Sequence, residues 1–219
     1  LKIDQIEFLD ANFGLSVGLS LDGLSWFVAL ITAFIGTLVS LYSIGYMEGC
    51  SCSYFGISSF FIGAMLTLVL SSSFLLMYAA WEAVGLSSFL LIGYWYSRSD
   101  AKNAARKAFL MTRVGDSGFL LAMLLILGLT GSVSIEYFLR YDFTMYQINL
   151  IAILFIIAAL GKSAQFPFTA WLPDAMAGPT PVSALIHSAT MVAAGVYLLA
   201  RIFPVFELSN AAKDLVLFI

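Results

Sequence analysis

Residues 161–201 read GKSAQFPFTAWLPDAMAGPTPVSALIHSATMVAAGVYLLAR, and this stretch decides the fold. An apolar run ends at its first residues, and its first half is rich in helix-breaking residues: Pro167, Pro173, Gly178, Pro179 and Pro181. Because proline lacks a backbone N–H and blocks helix continuation, we predict a helix that breaks near 162–180. A further apolar helix is predicted from about 181 to 201.

The composition of the whole chain places this broken helix in a membrane. Of 219 residues, 61% are hydrophobic and 11% are charged, and the mean hydropathy is +0.97. Soluble domains carry about 25% charged residues, because their surfaces need polar cover. Interrupted backbone at membrane depth persists only against protein or a water-filled cavity, which is typical of a transport path. A re-entrant loop with a purely structural role is the alternative.

Other classes of protein fit the composition poorly. The net charge of −3 provides no basic surface, so no nucleic-acid partner is expected. Cys50 and Cys52 lie on either side of Ser51 in a polar loop, but structural zinc needs four ligands and no histidine is near them. We interpret them as loop cysteines and expect no metal site. No phosphate-binding glycine loop or zinc-protease motif occurs.

Upstream of the broken helix the chain contains further apolar stretches of about bilayer length, about 20 residues. The predicted crossings are 24–46, 55–70, 74–96, 108–129 and a fifth, broken one that begins near 148. The chain is thus predicted to be an all-α polytopic membrane protein. Three divisions are expected: an acidic extramembrane segment at 1–22 with weak strand-like alternation, a transmembrane helical unit at 23–203, and the start of a further helix at 204–219.

Basic residues predict the orientation. Arg98, Lys102, Arg106 and Lys107 are expected in the loop between the third and fourth crossings. The loops of the other side carry mainly acids, among them Glu136 and Asp142. By the positive-inside rule, the basic loop faces the matrix or cytoplasm. Ser71–Ser73 and the Glu136–Asp142 loop then face the opposite compartment.

When the loop charges are set aside, five ionisable residues remain inside the predicted membrane helices: Glu82, Arg113, Asp116, Lys162 and His187. A charge at a membrane helix centre costs roughly 2.5–3.5 kcal/mol on insertion scales, so these groups need a partner or a purpose. Glu82 and Lys162 are predicted at comparable depth, which favours pairing. A lysine that switches between paired and separated states can take up and release a proton; a static pair that locks two helices is the alternative.

The remaining three residues are predicted to support this pair. Arg113 and Asp116 are three apart on one helix, so they can pair locally. His187 is the chain's single histidine, and its side chain suits proton exchange near neutral pH. Hydrogen-bonded packing is the alternative for it. Nearby hydroxyls could hold water between these groups: Ser163, Ser183, Ser188 and Thr190.

Residues 161–201 resemble the signature of the proton-translocating, antiporter-like membrane subunits, and most closely chain 5 of NADH–quinone oxidoreductase, the distal pump of respiratory complex I. Supporting matches, in family order, are LDGLS at 21–25, 42–46, WEAVGL at 81–86 and TRVGD at 112–116. The resemblance covers about 15–201. It implies an antiporter-like five-helix unit with a discontinuous helix, preceded by one transmembrane helix.

The resemblance also implies roles. Glu82 matches the glutamate that modulates the central lysine, Lys162 matches that lysine, and His187 matches the histidine that links it to the next half-channel. Arg113 and Asp116 match a supporting polar pair. As part of an H⁺-translocating NADH:ubiquinone reductase, the chain would carry no redox site and no cofactor. NADH, FMN, iron–sulfur clusters and ubiquinone would be bound by other subunits.

Two differences from the family members determine which partners we expect for this chain. Family members are more than twice as long, with a second inverted unit, and usually begin with two further helices. The chain is expected to contact other membrane subunits and lipid, and a second chain is expected to supply the remaining half. A mitochondrial inner membrane is predicted, with a bacterial plasma membrane as the alternative. The competing functions are a subunit of a multi-subunit Na⁺/H⁺ antiporter and a structural membrane scaffold.

Overall fold

The fold is a bundle of membrane-length helices with a small β-hairpin at one end. The computed structural model describes residues 3–10, 16–47, 52–188 and 190–218. Its elements are β1 (Ile3–Asp10), β2 (Ser16–Leu21), α1 (Gly23–Tyr46), α2 (Cys52–Leu70), α3 (Phe74–Ile92), α4 (Ser99–Thr130), α5 (Ile135–Arg140), α6 (Met145–Lys162), α7 (Trp171–Asp174), α8 (Thr180–Ser188), α9 (Met191–Arg201), α10 (Phe203–Leu208) and α11 (Asn210–Phe218). A short 3₁₀ turn, Ala175–Ala177, follows α7.

Within the described ranges, six helical segments are long and apolar enough to cross a membrane. They are α1, α2, α3, α4, α6 and the stretch Thr180–Arg201 that contains α8 and α9. The predicted all-α polytopic class is therefore confirmed. Much of α1 presents large apolar side chains outward, including Phe27, Phe34 and Leu41, as a lipid-facing helix does.

One predicted boundary was wrong, and one predicted helix is interrupted. The basic segment that contains Lys102 and Arg106 is helical, because α4 begins at Ser99 and its 32 residues exceed the bilayer core. The helix predicted at 181–201 has the expected ends but is interrupted: α8 ends at Ser188 and α9 begins at Met191. Between them Thr190 leaves the helical region (φ −126°, ψ −95°), and its hydroxyl donates to the Leu185 carbonyl. That side-chain bond replaces part of the helix ladder.

The hairpin and the acidic loops meet at one end of the bundle. β1 and β2 pair antiparallel, with Asp10 opposite Ser16, in the segment where the sequence alternates. Isolated bridges join Leu19 to Ser71 and Ser73 to Ser134. An ion pair between Arg201 and Asp22 ties the end of α9 to the start of α1, whose first turn Asp22 also caps through Ser25 N (2.8 Å).

The basic residues lie at the other end. Lys107 Nζ is 2.6 Å from Asp174 Oδ2, which joins α4 to α7. The Tyr46 hydroxyl lies 3.1 Å from Thr180 Oγ1, which joins the end of α1 to the start of α8. The predicted separation of the basic residues from the serine triplet and Glu136 is therefore observed.

Helices α4 and α6 are in backbone contact. A Cβ built on Gly115 would lie 2.9 Å from Gly161 Cα, so no larger residue fits at this crossing without displacing a helix. Small residues at membrane helix contacts let backbones approach closely, where dispersion replaces the hydrophobic effect. This contact places the middle of α4 directly against the last turn of α6.

An aromatic cluster fills the bundle between this crossing and the hairpin end. Phe74 of α3, Phe119 of α4 and Phe155 of α6 stack or meet edge to face with centroids 5.4–6.4 Å apart. All three are fully buried. The charged groups described below therefore have a densely packed apolar layer beside them.

Candidate functional site

A buried ion pair lies where α4 meets α6. Lys162 Nζ is 3.4 Å from Asp116 Oδ2, and the side chains are 0% and 2% exposed. Lys162 is the last residue of α6, where the predicted break begins. Buried charges persist only when they are paired and hydrogen-bonded, and removal of one partner leaves a costly uncompensated charge.

Trp81 of α3 contacts both members of this ion pair. Its Nε1 donates to Asp116 Oδ1 at 2.6 Å, and Lys162 Nζ lies 5.6 Å from the centre of its ring. The indole thus satisfies the second carboxylate oxygen and offers its π face to the ammonium. Sequence reasoning missed this role, although Trp81 directly precedes Glu82 in a segment singled out for its resemblance.

A second, more exposed ion pair lies beside the first. The Arg113 guanidinium of α4 contacts the Glu82 carboxylate of α3, with side chains 39% and 18% exposed. The guanidinium also lies 4.7 Å from the centre of the Phe109 ring. Arg113 lies at the edge of the bundle, whereas both carboxylate oxygens of Glu82 are buried. Solvent therefore reaches this pair only from the arginine side.

The predicted partners were therefore wrong. Glu82 was expected to face Lys162, and Arg113 was judged able to pair locally with Asp116. Both ion pairs instead bridge neighbouring helices. Asp116 faces the α3–α6 contact and is buried, whereas Arg113 lies at the rim of the same helix, so each meets a different neighbour.

Gly85 provides the space for the lysine. A Cβ built there would lie 2.7 Å from Lys162 Nζ and 3.9 Å from Asp116 Oδ2. The ammonium occupies the volume that a side chain on α3 would fill. Because Nζ is the end of a flexible side chain, it can move aside without unfolding the helices.

We expect Gly85→Ala to leave the protein folded but to displace the ammonium from Asp116. The interaction between Lys162 and Asp116 should weaken by about 1.4 kcal/mol, the size of one charge-assisted hydrogen bond. The fall in stability on thermal unfolding measures this. Gly63→Ala on α2 is the matched control, since a Cβ there meets nothing within 4 Å. Equal losses in both variants would contradict the role of Gly85.

The break after Lys162 is stabilised by bonds to the freed carbonyls of α6. Ser163 N donates to Ala159 O (2.8 Å), and Gln165 N donates to Leu160 O (3.1 Å). The buried Trp171 indole donates to Gly161 O at 3.0 Å. Such partners are what a helix end at membrane depth requires. The break is thus stabilised by specific hydrogen bonds, and Lys162 lies at the end of the helix that it terminates.

His187 lies apart from these pairs in the structure. It is half-buried in the last turn of α8, and its Nε2 has no hydrogen-bond partner among the described residues. Among the residues that the structure describes, neither a hydrogen bond nor an ion pair joins His187 to Lys162. The predicted link between the two residues remains a prediction.

Three of the four hydroxyls predicted to hold water donate to backbone carbonyls. Ser163 Oγ donates to Val192 O of α9 (2.8 Å), Ser188 Oγ donates to Ala184 O (2.6 Å), and the Thr190 hydroxyl donates to Leu185 O of α8. The Ser163 bond joins the broken end of α6 to α9. Their lone pairs, but not these protons, stay available for water.

In the described residues, no group of three or more His, Cys, Asp or Glu side chains could hold a metal ion. Cys52 is a free, exposed thiol, and Cys50 lies outside the described residues.

Comparison with known proteins identifies a family for the segment that contains the ion pairs and the broken helix. A sequence profile described as "NADH:quinone oxidoreductase/Mrp antiporter, TM" matches residues 71–219, which contain both ion pairs and the broken helix. The chain belongs to this family. A second profile, "NADH-Ubiquinone oxidoreductase (complex I), chain 5 N-terminus", matches residues 8–61 of this family member.

Similar proteins come from several kinds of membrane. The chain is 42% identical over 227 residues to NADH-quinone oxidoreductase subunit L of Rhodobacter capsulatus, covering 93% of the chain and 32% of that protein. It is 43% identical over 208 residues to the chloroplastic NAD(P)H-quinone oxidoreductase subunit 5 of Ipomoea purpurea, covering 90% and 29%. The chain spans about a third of the length of these relatives.

A solved structure shares the fold. The Mrp complex from a Dietzia species superposes with a TM-score of 0.86 and 36% identity, covering 91% of this chain and 22% of the matched one. The antiporter-like fold inferred from the sequence is thereby confirmed for this member of the NADH:quinone oxidoreductase/Mrp antiporter family.

Proposed function

We propose that the chain is a proton-translocating membrane subunit of an NADH:quinone oxidoreductase. The observation that carries this proposal is the buried Lys162–Asp116 pair at the end of the broken helix. A buried ammonium that loses its carboxylate is costly, and transfer of its proton relieves that cost. Separation of the pair would therefore move a proton, and reformation would recover one.

The second pair would control the first. Arg113 and Asp116 lie less than one turn apart on α4, so a movement of α4 changes both pairs together. When Glu82 holds Arg113, α4 is kept against α3 and Asp116 remains with Lys162. Glu82 thus modulates the lysine through α4 rather than by direct contact.

His187 would receive the proton that leaves Lys162. It lies on the segment after the break, and its unpartnered, buried Nε2 can accept a proton or a bridging water. The route Glu82–Lys162–His187 is thus proposed as a functional order, with Arg113 and Asp116 as the residues that gate it.

We expect Glu82→Gln to lower NADH-driven proton translocation about tenfold or more, within the range for removal of one acid–base group. Glutamine keeps the size of the side chain but cannot hold Arg113 by charge. The measurement is acidification of liposomes that contain the assembled complex. Glu136→Gln is the matched control, because Glu136 also pairs with an arginine, Arg140, but on the exposed hairpin end. Translocation that is unchanged in Glu82→Gln would overturn the gating role.

A Na⁺/H⁺ antiporter subunit is the second candidate. The likeness to the Dietzia Mrp complex favours it, since the match covers 91% of the chain. The two functions differ in what drives transport. Proton movement that requires NADH and quinone but no sodium supports the first proposal, whereas sodium-dependent exchange without NADH supports the second.

The proposed subunit would bind no cofactor of its own. NADH, FMN, iron–sulfur clusters and ubiquinone would be held by other subunits, whose quinone chemistry drives the separation of the pairs. Further membrane subunits are the expected partners, and a second polypeptide would supply the remaining half of the conducting unit. The mitochondrial inner membrane is proposed as the location, with a bacterial plasma membrane as the alternative.

A further inference from the structure

A groove opens between the ends of α2, α3 and α4, at the basic end of the bundle. Its volume is about 630 Å³, within the range of small-molecule sites. Ile57, Phe89 and Leu90 form an apolar wall, and Tyr94, Lys102 and Arg106 lie nearer the end of the helices. The Tyr94 ring packs against the bundle, where it meets the buried Tyr54 ring edge to face at 5.4 Å.

The two cations of the groove are available for a ligand. Lys102 and Arg106 are four residues apart, so they share one face of α4. Both are exposed, and within the described residues neither forms an ion pair. Asp100 is two residues before Lys102 and points to another side of the helix. Neighbouring Lys107, by contrast, is held by Asp174.

Their position on α4 makes this pair of cations unfavourable without an anion. Lys102 ends the first turn of α4, where the helix dipole repels positive charge, and the side chains of Lys102 and Arg106 repel each other at this spacing. Orientation by the positive-inside rule requires basic residues at this end, but it does not require them beside a groove. Arg98, which stacks on Trp95 at 5.0 Å and does not line the groove, serves orientation equally well.

The geometry points to one anionic phospholipid in this groove. We propose that its phosphate lies between Lys102 and Arg106, and that an acyl chain runs along Ile57, Phe89 and Leu90. Basic pockets between helices on the cytoplasmic or matrix side suit such headgroups. Tyr96 is 82% exposed at the same level, as interfacial aromatic residues are. The apolar wall selects a lipid over free phosphate.

Native mass spectrometry of the complete assembly, titrated with phosphatidylglycerol or phosphatidylcholine, tests the proposal. The unsubstituted complex is expected to retain one phosphatidylglycerol at least tenfold more tightly than phosphatidylcholine. Lys102→Gln with Arg106→Gln should lose that preference. The matched control is Arg98→Gln, which should keep it. This test is independent of transport, so it does not depend on the proposed function.

Three outcomes would overturn the proposal. The first is an unchanged preference in the double variant, and the second is equal retention of the two lipids by the unsubstituted complex. The third comes from a photo-crosslinking residue placed at Leu90, which is exposed beside the groove. Capture of a neighbouring polypeptide instead of lipid there would show that a protein segment fills the groove.

Discussion

Replacement of Lys162 by methionine is expected to reduce proton translocation to below about one hundredth, the usual loss when an essential proton-transfer group is removed. Methionine fills a similar volume but carries no proton. The single change leaves Asp116 buried without its cation. The free energy of unfolding of the subunit should therefore also fall, by about 3–5 kcal/mol. Liposome acidification and thermal unfolding of the assembled complex measure the two effects.

A double variant separates transport from structure. Lys162→Met with Asp116→Asn removes both charges, while the asparagine oxygen can still accept from Trp81 Nε1. Replacement of a whole buried pair by hydrophobic residues is often harmless to stability. Part of the lost stability should therefore return, less about 1–3 kcal/mol for the asparagine NH₂ that is left without a partner. Translocation should remain absent. If the double variant regains both, the pair only locks two helices, and the scaffold interpretation is correct.

Lys107→Met is the matched control for these variants. It removes a lysine from an ion pair at the exposed end of α4, where both partners are more than 40% exposed. Exposed pairs contribute about 0–1 kcal/mol, so stability should change little. Translocation should also persist. A loss as large as that of Lys162→Met would show that any lysine change in this chain disturbs assembly.

Much of the fold could be predicted from hydropathy, because each membrane helix is a separate apolar run. The α1 span was predicted from residue 24 and begins at Gly23, and the break was placed where α6 ends. The separation of the basic residues from the acidic end also followed from local composition, since the basic residues cluster in one segment. These features are determined by residues that are close together in the sequence, so they can be predicted from one sequence alone.

The partners of the buried charges could not be predicted in this way. Depth alone made Glu82 and Lys162 a plausible pair, but depth does not specify which face of a helix meets which neighbour. Rotation of α4 decides this: it turns Asp116 inward to Lys162 and leaves Arg113 at the rim for Glu82. That rotation is set by long-range packing, which periodicity in one helix does not reveal.

The start of α4 was missed because charged residues were taken as a loop signal, and the interruption between α8 and α9 was missed because a hydroxyl group was ignored. The segment with Lys102 and Arg106 is polar, yet it contains alanines and follows helical spacing, with Ala101, Ala104 and Ala105 buried. The interruption before Met191 depends on one hydroxyl, that of Thr190. Serine and threonine compete with the helix ladder only in some contexts, so their presence predicts an interruption weakly.

The contact between Gly115 and Gly161 leads to the second large effect. We expect Gly115→Ala to destabilise the bundle by about 1–3 kcal/mol, the cost of overpacking a tight contact. The new methyl group would lie 2.9 Å from Gly161 Cα and 3.2 Å from Ile157 O, and backbone cannot move aside as a lysine tip can. Thermal unfolding of the assembled complex measures this loss.

The same substitution should impair transport, because Asp116 and Lys162 directly follow the two glycines. Any separation of α4 from α6 lengthens the Nζ–Oδ2 distance of 3.4 Å. Gly128→Ala is the matched control: it lies on α4, but a Cβ there meets nothing within 4 Å. Alanine favours helix by about 1 kcal/mol over glycine, so this control should be as stable as the unsubstituted protein or more so. If Gly115→Ala lowers stability but leaves translocation intact, the helix contact does not set the geometry of the ion pair.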